Sequence, residues 1–206
     1  QTHQLKDIHY WLEKTRLTLA VASYQGGLVA SQGEARRQAW DLFRRRLDLC
    51  RQLAIGTFVV ACDVPAPLDQ QTLDRVQLSL AEAAQRAAEH DLRIALEFQA
   101  TSSLGNNLQT AAALVSDVAS PHLGLCLDAF HWYTGPSKTE DLGYLTADNL
   151  FHVQLCDLAD IPRELAKDSH RILPGDGEIP LAPLINHLTQ INCRGCVSLE
   201  LMNPHL

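Results

Sequence analysis

The chain has 206 residues, a formal net charge of −7 and an apolar fraction of 46%. This length allows one domain or a small pair with a substantial buried core, and the composition argues against secreted disulfide-rich, collagen-like and disordered proteins. The acidic balance argues against a nucleic-acid partner, and no window approaches the ~18 uninterrupted apolar residues of a membrane span.

Short apolar segments that predict strands alternate along the chain with longer segments of helical periodicity. A polar helix is predicted over residues 2–16. The strands are predicted at 17–23, 58–63, 93–99, 123–128, 151–157 and 196–201. The helices between them are predicted at 35–53, 72–90, 107–118 and 181–190, with a shorter, more polar segment at 139–149. This alternation is typical of parallel strands joined by crossover helices, an α/β architecture.

The side-chain pattern within four of these strands favours a closed barrel over an open nucleotide-binding sheet. The glycine pair after the first strand lacks the spacing of a dinucleotide-binding turn. Each of the four strands has bulky residues on one face and small residues ending in a polar group on the other. In the strand at 151–157, for example, Phe151, Val153 and Leu155 are predicted to face away from Gln154. Bulky faces would pack on helices, and small faces would line a (β/α)8 TIM barrel.

The visible part of this barrel is predicted to be incomplete. A TIM barrel has eight βα units and typically ~250 residues, whereas about six units are visible in 206 residues. We expect a single domain over residues 1–206 that lacks the first one or two strands and the last helix. Two unpaired sheet edges are costly for a monomer, which predicts either a piece of a longer protein or a homo-oligomer.

The cysteines indicate reduced thiols. Of the six, only Cys193 and Cys196 have the spacing of a metal-ligand pair, and no second pair exists to close a four-sulfur site. Free thiols are typical of reducing compartments, so we expect a cytoplasmic protein.

Four oxygen-bearing side chains are predicted at or near the carboxyl ends of four strands, all on the interior face. They are Glu97, Asp128, Gln154 and Glu200. Each could be an ordinary strand-end polar residue. However, three carboxylates in one barrel mouth would repel each other unless a cation neutralised them. Their oxygens and the amide oxygen suit Mn²⁺, Mg²⁺ or Co²⁺ better than zinc, so one divalent cation is the predicted cofactor.

Five short motifs carry a resemblance to a known family. They are Ala-Leu-Glu-Phe-Gln at 95–99, Leu-Asp-Ala-Phe-His at 127–131, Val-Gln-Leu-Cys-Asp at 153–157, Leu-Pro-Gly-Asp-Gly-Glu at 173–178 and Ser-Leu-Glu at 198–200. In this order they resemble the xylose isomerase-like TIM barrel superfamily, over about residues 17–206. That group holds sugar and sugar phosphate isomerases and epimerases, inosose dehydratases, 3-dehydroshikimate dehydratases and the endonuclease IV branch.

The resemblance implies roles for individual residues. The implied metal ligands are Glu97, Asp128, Gln154 and Glu200. His131 matches a histidine that contacts substrate, and Arg171 matches an arginine that anchors a substrate oxygen. Trp132 follows His131 and is either a ring that stacks on a sugar or part of a packed hinge. Asp157 either orients a ligand or caps the next segment.

The resemblance also implies a reaction class in carbohydrate metabolism. The small-molecule substrate would be a sugar, cyclitol or related hydroxyketone that is isomerised or epimerised through an enediolate. Glu97 and Glu200 are the candidate proton-transferring groups on the two faces of the substrate. The alternative is a dehydratase of a keto-polyol or keto acid, in which His131 protonates the leaving hydroxyl. Gln154 favours that alternative, because the epimerases usually have histidine there. A nuclease and a binding-only module are further alternatives.

Overall fold

The structure, a computed structural model, describes residues 2–204 of the chain and the side chains of residues 5–204. The single domain predicted over 1–206 therefore extends beyond the described residues at both ends. The strands are β1 (Val21–Gln25), β2 (Thr57–Cys62), β3 (Arg93–Phe98), β4 (Leu123–Asp128), β5 (Leu150–Leu155) and β6 (Cys196–Leu199). The α-helices are α1 (Thr2–Thr15), α2 (Gly33–Gln52), α3 (Gln70–Ala88), α4 (Leu108–Val118), α5 (Ala129–Thr134) and α6 (Leu181–Gln190). Short 3-10 helices span Thr139–Tyr144, Arg163–Leu165 and Asp168–His170.

The six strands form one parallel sheet in the order β1-β2-β3-β4-β5-β6, which curves into a half-barrel. This architecture confirms the predicted α/β fold and its incomplete TIM barrel. Within residues 2–204, β1 and β6 each pair with a single neighbour. The homo-oligomer inferred from these edges stays a prediction.

Side-chain capping defines where three of the helices begin. The Asp69 carboxylate accepts a hydrogen bond from the Thr72 N–H at the start of α3, and the Asn107 amide oxygen does the same for Thr110 in α4. The Asp128 carboxylate accepts from the Phe130 N–H at 2.8 Å, so α5 begins directly at the carboxyl end of β4. Such caps satisfy amides that have no partner within the helix.

The predicted position of the first strand was wrong. The prediction covered 17–23, whereas β1 spans Val21–Gln25. The apolar residues that suggested an earlier start are not buried, since Leu17 is 67% exposed. Gln25 instead is buried, and its side-chain amide donates to the Ala39 carbonyl of α2 at 2.9 Å. A tertiary contact therefore outweighs the local apolar pattern.

The predicted orientation of Phe151 was also wrong. The pairing of β4 with β5 shifts between Leu125 and Cys126, which leaves Phe151 without a partner in the ladder. This bulge turns Phe151 to the interior face, where it packs with Val59, Ala95 and Cys126. Its ring fills the space beside Gly124, where an added Cβ would lie 2.6 Å from the ring.

Two general expectations about the chain can be compared with the structure. All six cysteines are free thiols, four of them buried. No helix within the described residues combines the length and the apolar character needed to cross a bilayer. The cytoplasmic location and the absence of a nucleic-acid partner stay predictions.

Candidate metal and active site

Three acidic side chains from three strands lie at the carboxyl edge of the sheet. Glu97 lies in β3, Asp128 ends β4, and Glu200 directly follows β6. Because all the strands are parallel, their carboxyl ends lie at the same edge. A cavity of about 100 Å³ opens there. It is lined by Tyr24, Glu97, Gln99, His131, Asp168, Arg171, Glu200 and Met202.

Arg171 and Asp128 form a buried, bidentate ion pair beside this cavity. The two Nη atoms of Arg171 donate to the two carboxylate oxygens of Asp128 at 3.0 and 2.6 Å. The Arg171 and Asp128 side chains are only 2% and 0% exposed. The fork of a guanidinium matches a carboxylate in this geometry, so the pair fixes both groups.

The same guanidinium is shared with two further carboxylates. Arg171 Nη1 lies 3.1 Å from Glu200 Oε2, and Nη2 lies 2.7 Å from Asp168 Oδ1. Its planar group also lies over the Phe130 ring, 4.4 Å from the centroid. Burial alone would lower the pKa of Arg171, but the Asp128 charge and hydrogen bond raise it, so the guanidinium stays charged.

Glu97 lacks the cation that its carboxylate neighbours share. Within residues 5–204 it forms no salt bridge with a Lys or Arg side chain, and its Oε2 accepts from the Gln99 amide at 2.5 Å. Burial, followed by the charges of Asp128 and Glu200, raises the pKa of Glu97 well above its usual value. Burial and the Asp128 charge also raise the pKa of Glu200, to about 7. The carboxylates of Glu97, Asp128, Asp168 and Glu200 therefore outnumber the single guanidinium of Arg171.

This shortage of positive charge is the observation that fits a divalent cation. Glu97, Asp128 and His131 each offer a ligand atom, and these three atoms lie within 4.8 Å of one another. A dication bound among them would relieve the repulsion that raises the carboxyl pKa values. Oxygen-rich sets suit Mg²⁺ and Mn²⁺, while an imidazole nitrogen also suits zinc and cobalt.

His131 lies in the first turn of α5, three residues after Asp128. Its Nδ1 lies 3.4 Å from the Ala100 backbone nitrogen, and its Nε2 lies 3.7 Å from Asp128 Oδ2. Burial lowers the pKa of His131, although the Asp128 charge opposes the shift. Burial therefore favours the neutral imidazole at the cavity wall, which can bind a metal ion or take up a proton through a ring nitrogen.

Gln154 is adjacent to Asp128 in the sheet but does not line the cavity. The two residues are paired in the β4–β5 register, and Gln154 is buried. Its Oε1 accepts from the Cys126 thiol at 3.0 Å. Its role as a metal ligand stays a prediction.

Trp132 also lies away from the cavity. It is buried in the helix-side core, and its indole N–H donates to the Lys138 carbonyl at 3.4 Å. Successive residues of a helix point about 100° apart, so Trp132 cannot share the direction of His131. The structure thus assigns Trp132 to packing rather than to the cavity wall.

The structure adds residues to the cavity that the sequence analysis missed. Gln99 lies two residues after Glu97, a spacing that places both on one face of the strand, and it could have been found from that spacing. Asp168 lies three residues before Arg171 and holds its Nε at 3.0 Å. Tyr24 and Met202 carry no local signal, because only the curvature of the sheet brings them to the cavity.

Comparisons with known proteins agree with this fold. Residues 1–205 match the family described as the xylose isomerase-like TIM barrel. The inosose isomerase of Bacillus subtilis (strain 168) is 29% identical over 168 residues, which cover 79% of this chain and 59% of that protein. The 3-dehydroshikimate dehydratase of Pseudomonas putida is 29% identical over 168 residues, covering 79% of this chain and 26% of that protein.

Solved structures share the fold at low sequence identity. The IOLI protein, crystallised with a binding zinc atom, has a TM-score of 0.88 at 22% identity, covering 98% of this chain and 73% of that one. A D-psicose 3-epimerase in the presence of D-fructose has a TM-score of 0.78 at 20% identity, covering 98% and 70%.

The curated relatives are enzymes, and this chain spans about three fifths of the length of the inosose isomerase from B. subtilis. The chain belongs to the xylose isomerase-like TIM barrel family.

Proposed function

We propose that this protein is a divalent-metal-dependent isomerase or epimerase of an uncharged sugar, cyclitol or related hydroxyketone. The observation that carries the proposal is the cluster of Glu97, Asp128 and Glu200 beside a cavity, in which a single arginine pairs with Asp128 and Glu200 and leaves Glu97 without a cation. Paired carboxylates with raised pKa values are the groups that acid–base chemistry at neutral pH requires.

The residues that would hold the metal are Glu97 and Asp128, with Glu200, Gln154 and His131 as further candidates. A bound divalent ion supplies a Lewis acid that stabilises negative charge on a substrate oxygen. The oxygen-rich ligands support Mn²⁺, Mg²⁺ or Co²⁺. The zinc in the IOLI crystal structure makes zinc a further ion to test.

Glu97 and Glu200 are the proposed proton-transferring groups. They belong to β3 and to the segment after β6, so their carboxylates approach the cavity from different strands. One carboxylate would remove the proton from the carbon next to the carbonyl, and the other would return a proton from another direction. A pKa of about 7 for Glu200 suits both halves of such an exchange.

The charge of the cavity wall supports an uncharged substrate. Three of its described lining residues are acidic: Glu97, Asp168 and Glu200. Arg171 is the only Lys or Arg among the described lining residues, and it donates hydrogen bonds to the carboxylates of Asp128 and Asp168 and to the Cys156 sulfur. A substrate carboxylate or phosphate would be repelled here, whereas hydroxyl groups can bond to the acidic oxygens and to Gln99.

The second candidate function is a dehydratase, which the position of His131 favours. Its imidazole lines the cavity, where, after taking up a proton from solvent, the imidazolium form could protonate a leaving hydroxyl group that departs as water. The relative from P. putida is a 3-dehydroshikimate dehydratase. Isomerisation and dehydration would share the proton abstraction by a glutamate and differ in whether a hydroxyl leaves.

The test is solvent exchange with a matched substrate panel. The protein is incubated in D₂O with Mn²⁺, Mg²⁺, Co²⁺ or Zn²⁺ and neutral ketoses, inososes, ketose phosphates or 3-dehydroshikimate. We expect deuterium at the carbon next to the carbonyl of a neutral ketose or inosose, and loss of exchange in Glu97→Gln and Glu200→Gln. Asp176→Asn, an exposed loop carboxylate, is the control. Elimination of water would instead support the dehydratase, and no exchange in any arm would overturn both proposals.

A further inference from the structure

One buried carboxylate, Asp157, has no role in the proposed chemistry. It lies two residues after β5 and is 1% exposed. Its Oδ1 accepts from the backbone N–H groups of Leu158 at 2.9 Å and Ile179 at 2.8 Å, and its Oδ2 accepts from Gly175 at 2.9 Å. Within residues 5–204 no Lys, Arg or His forms an ion pair with it. Backbone amides alone therefore neutralise this carboxylate.

Two of these amides, those of Gly175 and Ile179, belong to a loop, residues 172–179, that passes around Asp157. The backbone of Asp157 forms two further hydrogen bonds with Ile172, N–H to carbonyl in both directions, each at 2.9 Å. The Glu178 N–H donates to the Leu158 carbonyl at 2.7 Å. Both ends of the 172–179 loop are therefore attached to the residues that follow β5.

The middle of the loop fits against Asp157 without space to spare. A Cβ added at Gly177 would lie 2.5 Å from Asp157 Oδ1 and would also clash with the Leu158 carbonyl oxygen. Only a residue without a side chain can occupy this position while the three hydrogen bonds to Asp157 are kept.

Arg171 directly precedes the 172–179 loop. Its guanidinium must reach Asp128 and Glu200 at 2.6 to 3.1 Å, which fixes where its backbone can lie. The Arg171 N–H donates to the Asp168 carbonyl at 3.2 Å, and the next residue, Ile172, is bonded to the backbone of Asp157. We propose that Asp157 is a positioning residue, which holds the 172–179 loop by its backbone amides and thereby places Arg171 among the site carboxylates. The value of this placement for catalysis rests on the proposed function, whereas the placement itself does not.

The test observes the Arg171 side chain directly by NMR spectroscopy. A guanidinium whose Nε–H donates to Asp168 at 3.0 Å and is shielded by burial should give a resolved, slowly exchanging Nε–H signal in NMR spectra. Arg171→Lys assigns the signal by its loss. Asp157→Asn keeps the size of the side chain but turns one acceptor into a donor, so at least one loop N–H loses its acceptor. Gly177→Ala disturbs the same contact without changing any charge.

The proposal predicts a joint response of the loop and the arginine. In Asp157→Asn and in Gly177→Ala, amide exchange at Gly175 and Ile179 should be at least about tenfold faster. The Arg171 Nε–H signal should shift or be lost in the same two variants, and Asp176→Asn should leave both readouts unchanged. An unchanged Arg171 signal together with faster loop exchange would overturn the proposal.

Two further outcomes separate this proposal from the proposed function. Should Asp157→Asn fail to fold, Gly177→Ala decides the matter alone, since it retains the carboxylate and its charge. Mn²⁺ titrated into the unsubstituted chain provides the separate check. If no Mn²⁺ binds while the two loop variants still move the Arg171 signal, the metal-dependent function fails and the positioning role stands.

Discussion

Two regions of this molecule bury carboxylates and neutralise them in different ways. Around Asp157, the negative charge is met by three backbone N–H groups and the two oxygens have fixed partners. At the carboxyl edge of the sheet, Asp128 and Glu200 share Arg171 while Glu97 has no salt-bridge partner among the described residues, and the pKa values of both glutamates are raised. The charge of Asp157 is neutralised entirely by groups of the fold, whereas a further cation would stabilise the carboxylates at the sheet edge.

The contrast distinguishes a structural carboxylate from a functional one. Backbone amides are neutral and cannot leave, so a carboxylate that they satisfy is held permanently. The mutual repulsion of neighbouring carboxylates favours binding of a cation or a proton, and such unrelieved repulsion is typical of active sites. Removal of a carboxylate with fixed partners should therefore destabilise the fold, whereas removal of the unpaired Glu97 charge should stabilise it.

The largest effect is expected from Asp128→Ala. This change leaves the Arg171 guanidinium, 2% exposed, without its two-pronged partner. The free energy of unfolding should fall by about 3–5 kcal/mol, the usual cost of breaking a buried ion pair by removing one partner, as measured by urea denaturation. Asp168→Ala is the control, because its side chain is 56% exposed and should cost less than about 1 kcal/mol. If the free energy of unfolding falls equally in the two variants, the buried Asp128–Arg171 pair contributes no more than the exposed Asp168–Arg171 pair, and the prediction is wrong.

Asp157→Asn should have the next largest effect. At least one loop N–H loses a charged acceptor in a buried position, which should lower the free energy of unfolding by about 1.5–3 kcal/mol. Asp176→Asn removes an exposed carboxylate from the same loop and should stay within about 0.5 kcal/mol. If Asp157→Asn is as stable as Asp176→Asn, the loop N–H groups do not require the Asp157 carboxylate as their acceptor.

Glu97→Gln should act in the opposite direction. It removes a buried charge that has no salt-bridge cation and is repelled by Asp128 and Glu200. Without metal the free energy of unfolding should rise by about 1 kcal/mol, as active-site substitutions that relieve strain often do. Mn²⁺ binding, followed by calorimetry, should be lost in the same variant. Destabilisation of the metal-free chain would contradict the frustrated character of the cluster.

The smallest effect concerns the pH dependence of stability. The folded chain binds the Glu200 proton more tightly than the unfolded chain does, because the pKa rises from 4.5 to about 7. The contribution of Glu200 to the free energy of unfolding is thus complete below pH 4.5 and declines as the pH rises towards 7. We expect a decline below about 1 kcal/mol, because solvent reaches part of this side chain. Denaturation of the metal-free chain at several pH values, compared with Glu200→Gln, measures it; a contribution that grows with pH would contradict it.

Much of the site could be predicted from residue types and spacing. Glu97 and Asp128 follow the apolar alternation of their own strands, and parallel strands bring their ends to one edge without further information. Trp132 shows where this reasoning fails, because its place beside His131 in the sequence says nothing about which way a helical turn will point it. The spacing argument that identified Glu97 could also have identified Gln99, two residues later.

Local periodicity is enough to predict the alternation of strands and helices, the parallel sheet and the acidic residues at the strand ends. The inward turn of Phe151 at a bulge, the start of β1 at Val21 and the contacts of Arg171 with Asp128 and Glu200 are known only from the folded chain. Strand register and loop closure depend on contacts between residues far apart in the chain, and no local pattern contains them.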